Sequence, residues 1–214
     1  MNIISNVLNF SLNYFFNITG DLGIAIILLT ITVRLLFMPL SIKQKLSMQD
    51  QQKLSKGLEE IKEKYKNNKE KLDCETKKYY EKNAKGMLGS LIGLLQLPVI
   101  FSLYNVVLKM PMQVGTILVP WVASLKMSDS YYIIPILYVI SALSPNLLAY
   151  IPFLKIKAQA NISKTNIIIT SIMSALITFK APVAMTLYLI ATSLFSFLEE
   201  VVFRLYAKSR RLPA

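Results

Sequence analysis

The stretch Leu22–Leu40 constrains this chain most, because its 19 residues are apolar enough to cross a bilayer and yet include an arginine, Arg34. About 20 apolar residues in a helix span the hydrocarbon core of a membrane. A charged side chain there costs about 2.5–3.5 kcal/mol on insertion scales, so it persists only where water or a partner meets it. Arg34 is therefore the first candidate functional residue.

Three interpretations of Arg34 are open from the sequence. Its stem can snorkel to the interface, although Arg34 lies about 9 Å from the Leu40 end at a rise of about 1.5 Å per residue. It can pair with a carboxylate, for which the acids in another apolar stretch are Glu199 and Glu200. It can also lie in a hydrated functional site, which is the interpretation we favour.

The basic residues are distributed unevenly and predict the topology. Of 24 lysines and arginines, 20 lie within 42–85, within 152–164 or from Arg204 onward, and only Lys109, Lys126 and Lys180 lie in the segments left for the other side. The positive-inside rule assigns the first group to the cytoplasm. The net charge of +12 is then a topological signal, and no direct nucleic-acid function is expected.

The chain has no histidine and one cysteine, Cys74. Histidine–cysteine metal sites, disulfides and Ser-His-Asp or Cys-His catalysis are therefore excluded within the chain. We expect no cofactor, no metal and no enzymatic activity.

The pattern predicts an all-α membrane protein with five transmembrane helices, an N-terminal amphipathic interfacial helix and a cytoplasmic helical hairpin. It predicts a multi-pass membrane protein with its N-terminus outside and its C-terminus in the cytoplasm. The predicted segments are an outer-surface amphipathic helix over 1–18, spans over 22–40, 87–108, 131–151, 165–179 and 183–206, a cytoplasmic hairpin over 42–86, an outer loop over 109–130, a cytoplasmic loop over 152–164 and a cytoplasmic tail over 207–214.

The hairpin is predicted from two thin apolar stripes that can face each other. Leu54, Leu58, Ile61 and Tyr65 recur at helical spacing, and a weaker stripe resumes after Asn67-Asn68 with Leu72, Thr76 and Tyr79. A disordered charged loop is the alternative.

Polar residues in the predicted spans suggest a shared site. A single serine or threonine in a membrane helix usually bonds its own backbone or packs against a neighbour. Taken together, these residues predict a wet compartment near the cytoplasmic side with one fixed positive charge, which would attract an acidic polypeptide or an anion. The candidate site residues are Arg34, Thr30, Gln96, Ser144, Ser174, Thr186 and Ser193.

The first span and its continuation, LGIAIILLTITVRLLFMPLSIKQKLSMQDQQKL, resemble the first span of the YidC/Oxa/Alb insertases. The resembling features are an arginine, a Pro-Leu pair after four further residues and then a Lys-Gln pair. The similarity continues, in order, through EEIKEKYKNNKEKL, LLQLPVIFSLYNVV, YYIIPIL and APVAMTLYLIATSLFSFLEE, and covers nearly the whole chain. The chain departs from the family pattern at Ala184, Leu189 and Ser193, where glycine, tryptophan and asparagine are frequent.

The resemblance implies a five-span core with a hydrophilic groove that is open to the cytoplasm and the lipid and closed to the outside. It implies that Arg34 is the groove arginine, that Gln96 lines the groove and that the hairpin is a mobile region needed for activity. The implied function is that of a membrane protein insertase and chaperone, whose partners are nascent membrane proteins and the lipid bilayer, with the ribosome and a Sec translocon as further candidates.

Two other function classes are open from the sequence. A small-anion transporter or channel would use Arg34 as its binding charge, and it would have a solute path on both faces and commonly an internal repeat, which is not visible here. An accessory subunit would pair Arg34 with an acid of a partner in the bilayer.

Overall fold

The structure is a computed structural model, and it describes residues 2–66, 68–83, 102, 105, 115–151, 153 and 164–209. The regular structure within these residues is helical, in agreement with the predicted fold class. In chain order the helices are α1 (Asn2–Thr19), α2 (Leu22–Lys64), α3 (Lys69–Asn83), α4 (Ile133–Leu147), α5 (Lys164–Thr178) and α6 (Val183–Ser209). A short 3₁₀ turn, Leu148–Tyr150, follows α4.

Two of these helices are long and apolar enough to cross a membrane, over Leu22–Ser47 and Val183–Tyr206. The apolar stretches Ile133–Leu147 and Ile167–Thr178 are shorter. The predicted second span over 87–108, apart from Ser102 and Asn105, lies outside the described residues. The five-span count and the segment boundaries therefore stay predictions.

Helix α2 runs without interruption from the predicted first span into the predicted hairpin. Pro39 lies inside it, where it removes one backbone donor. The residues that follow Pro39 include Lys43, Gln44 and Lys45, which are good helix formers. The chain therefore has no break at 40–42, where the sequence analysis divided span from hairpin.

Helix α1 has two apolar faces and one asparagine face. Leu8 and Leu12 are buried in the core, whereas Val7, Phe10 and Tyr14 are exposed. The asparagines occupy the face between them, since Asn6, Asn9, Asn13 and Asn17 recur every three or four residues. The helix ends at Gly20, whose positive φ of 67° suits a residue without a side chain.

The chain divides into two compact units. One comprises 1–37, 97–156 and 161–213, and the other consists mainly of 38–96. The core of the first unit joins side chains from α1, α2, α4, α6 and the segment 115–132, which we call loop 115–132. Its fully buried members include Leu12, Ile26, Val119 and Val183.

In the second unit, α3 follows α2 after a short turn. The side chain of Asn68 accepts a hydrogen bond from the Lys71 backbone at 3.1 Å and so begins α3. Further along, a Cβ added at Gly57 would collide with the ring and hydroxyl of Tyr79. The absence of a side chain at Gly57 therefore allows the close contact between α2 and α3.

Loop 115–132 is held to the start of α2 by the carboxylate of Asp21. Its oxygens accept hydrogen bonds from the Thr116 hydroxyl at 2.7 Å, from the Ile117 backbone at 2.7 Å and from the Ile24 backbone at 2.9 Å. Burial alone would raise the pKa of Asp21, but these hydrogen bonds outweigh it and lower the pKa below its ordinary value. One carboxylate thus caps α2 and anchors the loop.

A second buried carboxylate, Asp129, orders the end of the same loop. It accepts hydrogen bonds from the Trp121 indole at 3.0 Å and from the backbones of Tyr131 and Ile134 at 3.0 and 2.8 Å. Tyr132, just before α4, stacks on Phe179 after α5 with ring centroids 4.7 Å apart. The loop therefore connects the start of α4 to the end of α5.

Helix α6 begins at the same loop. The backbone of Val183 donates to the Met127 carbonyl at 2.9 Å, and that of Ala184 donates to the Leu125 carbonyl at 3.0 Å. Since Asp21 ties the start of α2 to this loop as well, α2 and α6 both begin there. Loop 115–132 thus contacts the first turns of both helices.

Candidate functional site

Arg34 lies in α2 and is half-buried. The neighbouring Leu35, Leu36 and Phe37 are exposed, with Leu36 at 74%. Thr30, one turn before Arg34, is 1% exposed. Arg34 thus lies between the face of α2 that packs on the core and the face that is open.

Two buried side chains of α6 lie close enough to Arg34 to interact with its charge. Tyr188 and Glu199 both interact with it electrostatically, and their exposed fractions are 4% and 7%. Between described residues, no salt bridge joins Arg34 to Glu199 or Glu200. Glu200 instead contacts Arg204, whose Nε lies 2.8 Å from Oε1 of Glu200.

Tyr188, Thr192 and Glu199 share one face of α6, because they are spaced by four and seven residues. Thr192 is 8% exposed, and its hydroxyl has no hydrogen-bond partner within the part of the chain that the structure describes. The predicted site residues Thr186 and Ser193 lie about a third of a turn or more away from this face at 3.6 residues per turn. The spacing of 188, 192 and 199 is the signal that would have identified Tyr188 and Thr192.

Most of the predicted site hydroxyls donate to their own helices. Thr30 donates to the Ile26 carbonyl at 2.7 Å, Ser144 to the Ser141 carbonyl at 2.7 Å and Thr186 to the Pro182 carbonyl at 3.3 Å. Such bonds satisfy the donor and leave the oxygen able to accept a further bond.

The structure says less about the remaining predicted site residues, Ser174, Ser193 and Gln96. Ser174 is 5% exposed, and its side chain lies near the Tyr138 hydroxyl. Ser193 is half-buried, and Gln96 lies outside the described residues. No hydrogen bond joins two of the predicted site side chains among those described, so their convergence into one groove stays a prediction.

Metal chemistry is not suggested by the described side chains. No cluster of three or more His, Cys, Asp or Glu residues that could hold a metal ion occurs among them. Cys74 is exposed in α3. The chemistry that the arrangement around Arg34 offers is electrostatic: a cation with a carboxylate, that of Glu199, near it.

Comparison with known proteins gives one family. The model of the 60Kd inner membrane protein family matches residues 14–210. The chain is 32% identical over 197 residues to the membrane protein insertase YidC of Helicobacter pylori strain 26695, which covers 89% of this chain and 34% of that protein. It is also similar to the membrane protein insertase YidC of Fusobacterium nucleatum, at 29% identity over 93% of this chain and 94% of the relative.

The matched relatives differ in length. The chain spans about a third of the Helicobacter pylori protein, at 34%. It spans 24% of the Syntrophus aciditrophicus insertase YidC, to which it is 40% identical over 130 residues. The Fusobacterium nucleatum relative, in contrast, is matched over nearly its whole length.

Proposed function

The chain belongs to the YidC/Oxa1 family of membrane protein insertases, and from that premise we propose that it inserts nascent hydrophobic segments into the bilayer through an intramembrane site that contains Arg34. The family resemblance that the sequence analysis drew from the residues is confirmed. Membership of an insertase family also agrees with the expectation that the chain is not an enzyme.

The observation that carries the proposal is the placement of Arg34. A half-buried cation in a helix of membrane-spanning length, beside the buried Tyr188 and Glu199, can attract an acidic group without being locked in a salt bridge to either glutamate of α6. An insertase needs such weak attraction, because its substrate has to leave.

The proposed architecture is the five-span bundle with its N-terminus outside and its C-terminus in the cytoplasm. In it, Arg34, Thr30, Gln96, Ser144, Ser174, Thr186 and Ser193 line a hydrophilic groove that is open to the cytoplasm and the lipid. The helical pair formed by α3 and the second part of α2 lies on the cytoplasmic side. The ribosome and a Sec translocon are candidate partners there.

The proposed mechanism divides the work between charge and hydrophobic burial. A nascent segment with a short acidic tail enters from the cytoplasm, and Arg34 offsets part of the cost of removing the acid from water. The apolar part of the segment then moves sideways into lipid. Its burial, worth about 25 cal/mol per Å² of apolar surface, drives release.

Insertion by the purified full chain in liposomes tests this function. The substrates are a single-span protein with an acidic N-terminal tail and its twin with a neutral tail. We expect Arg34→Ala to slow insertion of the acidic-tailed substrate by roughly tenfold, which corresponds to about 1.4 kcal/mol. Arg34→Lys should retain most of the rate, because it keeps the charge.

The matched control is Lys180→Ala, which removes one positive charge from an exposed turn and should leave both rates unchanged. Full activity of Arg34→Ala on the acidic-tailed substrate would contradict the role of Arg34. Liposomes that pass small anions and insert neither substrate would instead indicate a transporter.

A further inference from the structure

Two adjacent glutamates of α6 interact with different arginines. Glu200 is bonded to Arg204 on its own helix at 2.8 Å. Glu199 interacts with Arg34 of α2 and is 7% exposed. Successive helical residues point about 100° apart, so the two side chains lie on different parts of the surface of α6.

Arg34 and Glu199 both lie several turns into their helices. The starts of α2 and α6 contact loop 115–132, through Asp21 and through Val183. At about 1.5 Å per residue, Arg34 lies roughly 18 Å along α2 and Glu199 roughly 24 Å along α6. Neither residue therefore belongs to the turn that contacts the loop.

The two helices also share a core. Ile26 and Leu29 of α2 and Leu187 and Tyr188 of α6 belong to one buried cluster. Tyr188, Thr192 and Glu199 lie on a common face of α6, and Arg34 interacts with the first and the last of them. The shared core and the charge interaction thus agree in placing this face of α6 near Arg34.

We propose that Glu199 sets the substrate preference of the site, as the counter-charge that an acidic substrate segment has to displace from Arg34. The inference rests on the proposed insertase function. A neutral segment meets a site whose charges nearly cancel, whereas an acidic segment gains only the difference between its own attraction to Arg34 and that of Glu199. The glutamate therefore weakens retention of acidic tails and favours their release.

A purely structural role for Glu199 makes a different prediction. If Glu199 served only the fold, its loss would change the handling of acidic and neutral substrates by the same factor. A counter-charge instead changes their ratio, and only while Arg34 is present. The ratio of the two substrates is therefore the informative measurement.

The experiment uses the full chain in liposomes and two tail variants of one single-span protein, carrying aspartates or asparagines, with a photocrosslinker in the tail. Glu199→Gln should raise the ratio of acidic-tail to neutral-tail crosslinking by roughly tenfold, given the interaction of unit charges at a partly wet site. The matched control is Glu200→Gln, which removes the neighbouring negative charge and should leave the ratio unchanged.

A second neutral variant, Glu199→Met, has a similar volume and guards against a failure of Glu199→Gln to fold, which circular dichroism would reveal. In an Arg34→Ala background, Glu199→Gln should have no effect on the ratio. An equal change for both tails, or the same increase without Arg34, would overturn the inference.

The test also separates this inference from the function on which it rests. A protein that responds to Arg34→Ala but not to either neutral variant of Glu199 contradicts the counter-charge and leaves the proposed function in place. A protein that responds to neither change contradicts both.

Discussion

Asp21 shows how one side chain can do two structural tasks. Its carboxylate accepts a hydrogen bond from the backbone of Ile24, three residues along, and others from Thr116 and Ile117 about 95 residues away. Close to this contact, a Cβ at Gly23 would collide with Thr116. The sequence predicts Asp21 as the N-terminal cap of α2, and the bond from Ile24 confirms it. Its partners Thr116 and Ile117 were not predicted, because they lie in a segment without periodicity.

At the residue scale, we predict that the ionisation of Asp21 makes the free energy of unfolding depend on pH. Its folded pKa is lowered, so its contribution is present in full above the unfolded pKa and is lost as the pH falls through the folded pKa. Asp21→Asn should lower the free energy of unfolding at pH 7 by about 1–2 kcal/mol, since hydrogen bonds to a charged group are the stronger ones. Thermal unfolding in detergent, followed by circular dichroism between pH 7 and pH 2, measures this.

The deficit of Asp21→Asn should shrink toward zero at the acid end of that range. Asp73→Asn removes an exposed carboxylate of α3 and should unfold like the unmodified protein throughout. A deficit of constant size from neutral to acid would show that the charge of Asp21 contributes nothing.

At the scale of elements, the sequence predicts where helices begin and end better than which face of each helix packs against its neighbours. The segment predicted over 165–179 is helical over Lys164–Thr178, and that predicted over 183–206 is helical over Val183–Ser209. Apolar runs and Pro182 set these limits locally. Which face of α6 meets α2 depends instead on packing between distant segments, so Tyr188 and Thr192 were not selected.

The candidate site, like the fold, could be predicted only in part from the sequence. Arg34 stands out because a charge in an apolar helix is rare, and no tertiary information is needed to find it. The family was also recognisable from ordered motifs, and the comparisons confirm it. Convergence of the polar side chains depends on helix rotation and on residues outside the described part of the chain.

The contact between α2 and α3 gives a prediction at the element scale. Gly57→Leu places a side chain against the ring of Tyr79. It should separate the two helices despite the higher helix propensity of leucine, since inserting atoms into a close contact costs about 1–3 kcal/mol. Spin labels on cysteines at the exposed Glu59 and Lys77, in a Cys74→Ser background, report the distance.

Glu60→Leu is the control, because it adds the same side chain at an exposed position of α2. It should leave the label distance unchanged. An unaltered distance in Gly57→Leu as well would mean that Tyr79 moves aside without cost.

For the molecule as a whole, the predicted topology can be tested with its single cysteine. Cys74 is exposed in α3, and the distribution of basic residues assigns α3 to the cytoplasm. A membrane-impermeant maleimide should therefore label inside-out vesicles and not right-side-out vesicles. A Cys74→Ser, Ser128→Cys variant, with its cysteine in loop 115–132, should show the opposite pattern.

Labelling of Cys74 from the outside would reverse the topology, and with it the side from which the proposed substrates would reach Arg34. Labelling of both variants from one side would contradict the division of the chain between the two membrane faces. The asymmetry of 20 basic residues against three leads us to expect labelling of Cys74 in inside-out vesicles only.

The shared carboxylate of Asp21 restricts how this protein can move. Loop 115–132 cannot lift away without uncapping the first turn of the helix that carries Arg34, and the core residues Ala25 and Ile26 follow directly in that helix. An outward-facing conformation, of the kind that solute carriers visit in each cycle, would then require local unwinding. In the proposed topology, we expect the outer side to act as a standing permeability barrier and conformational change during the proposed insertion to be confined to the lipid-facing and inner sides.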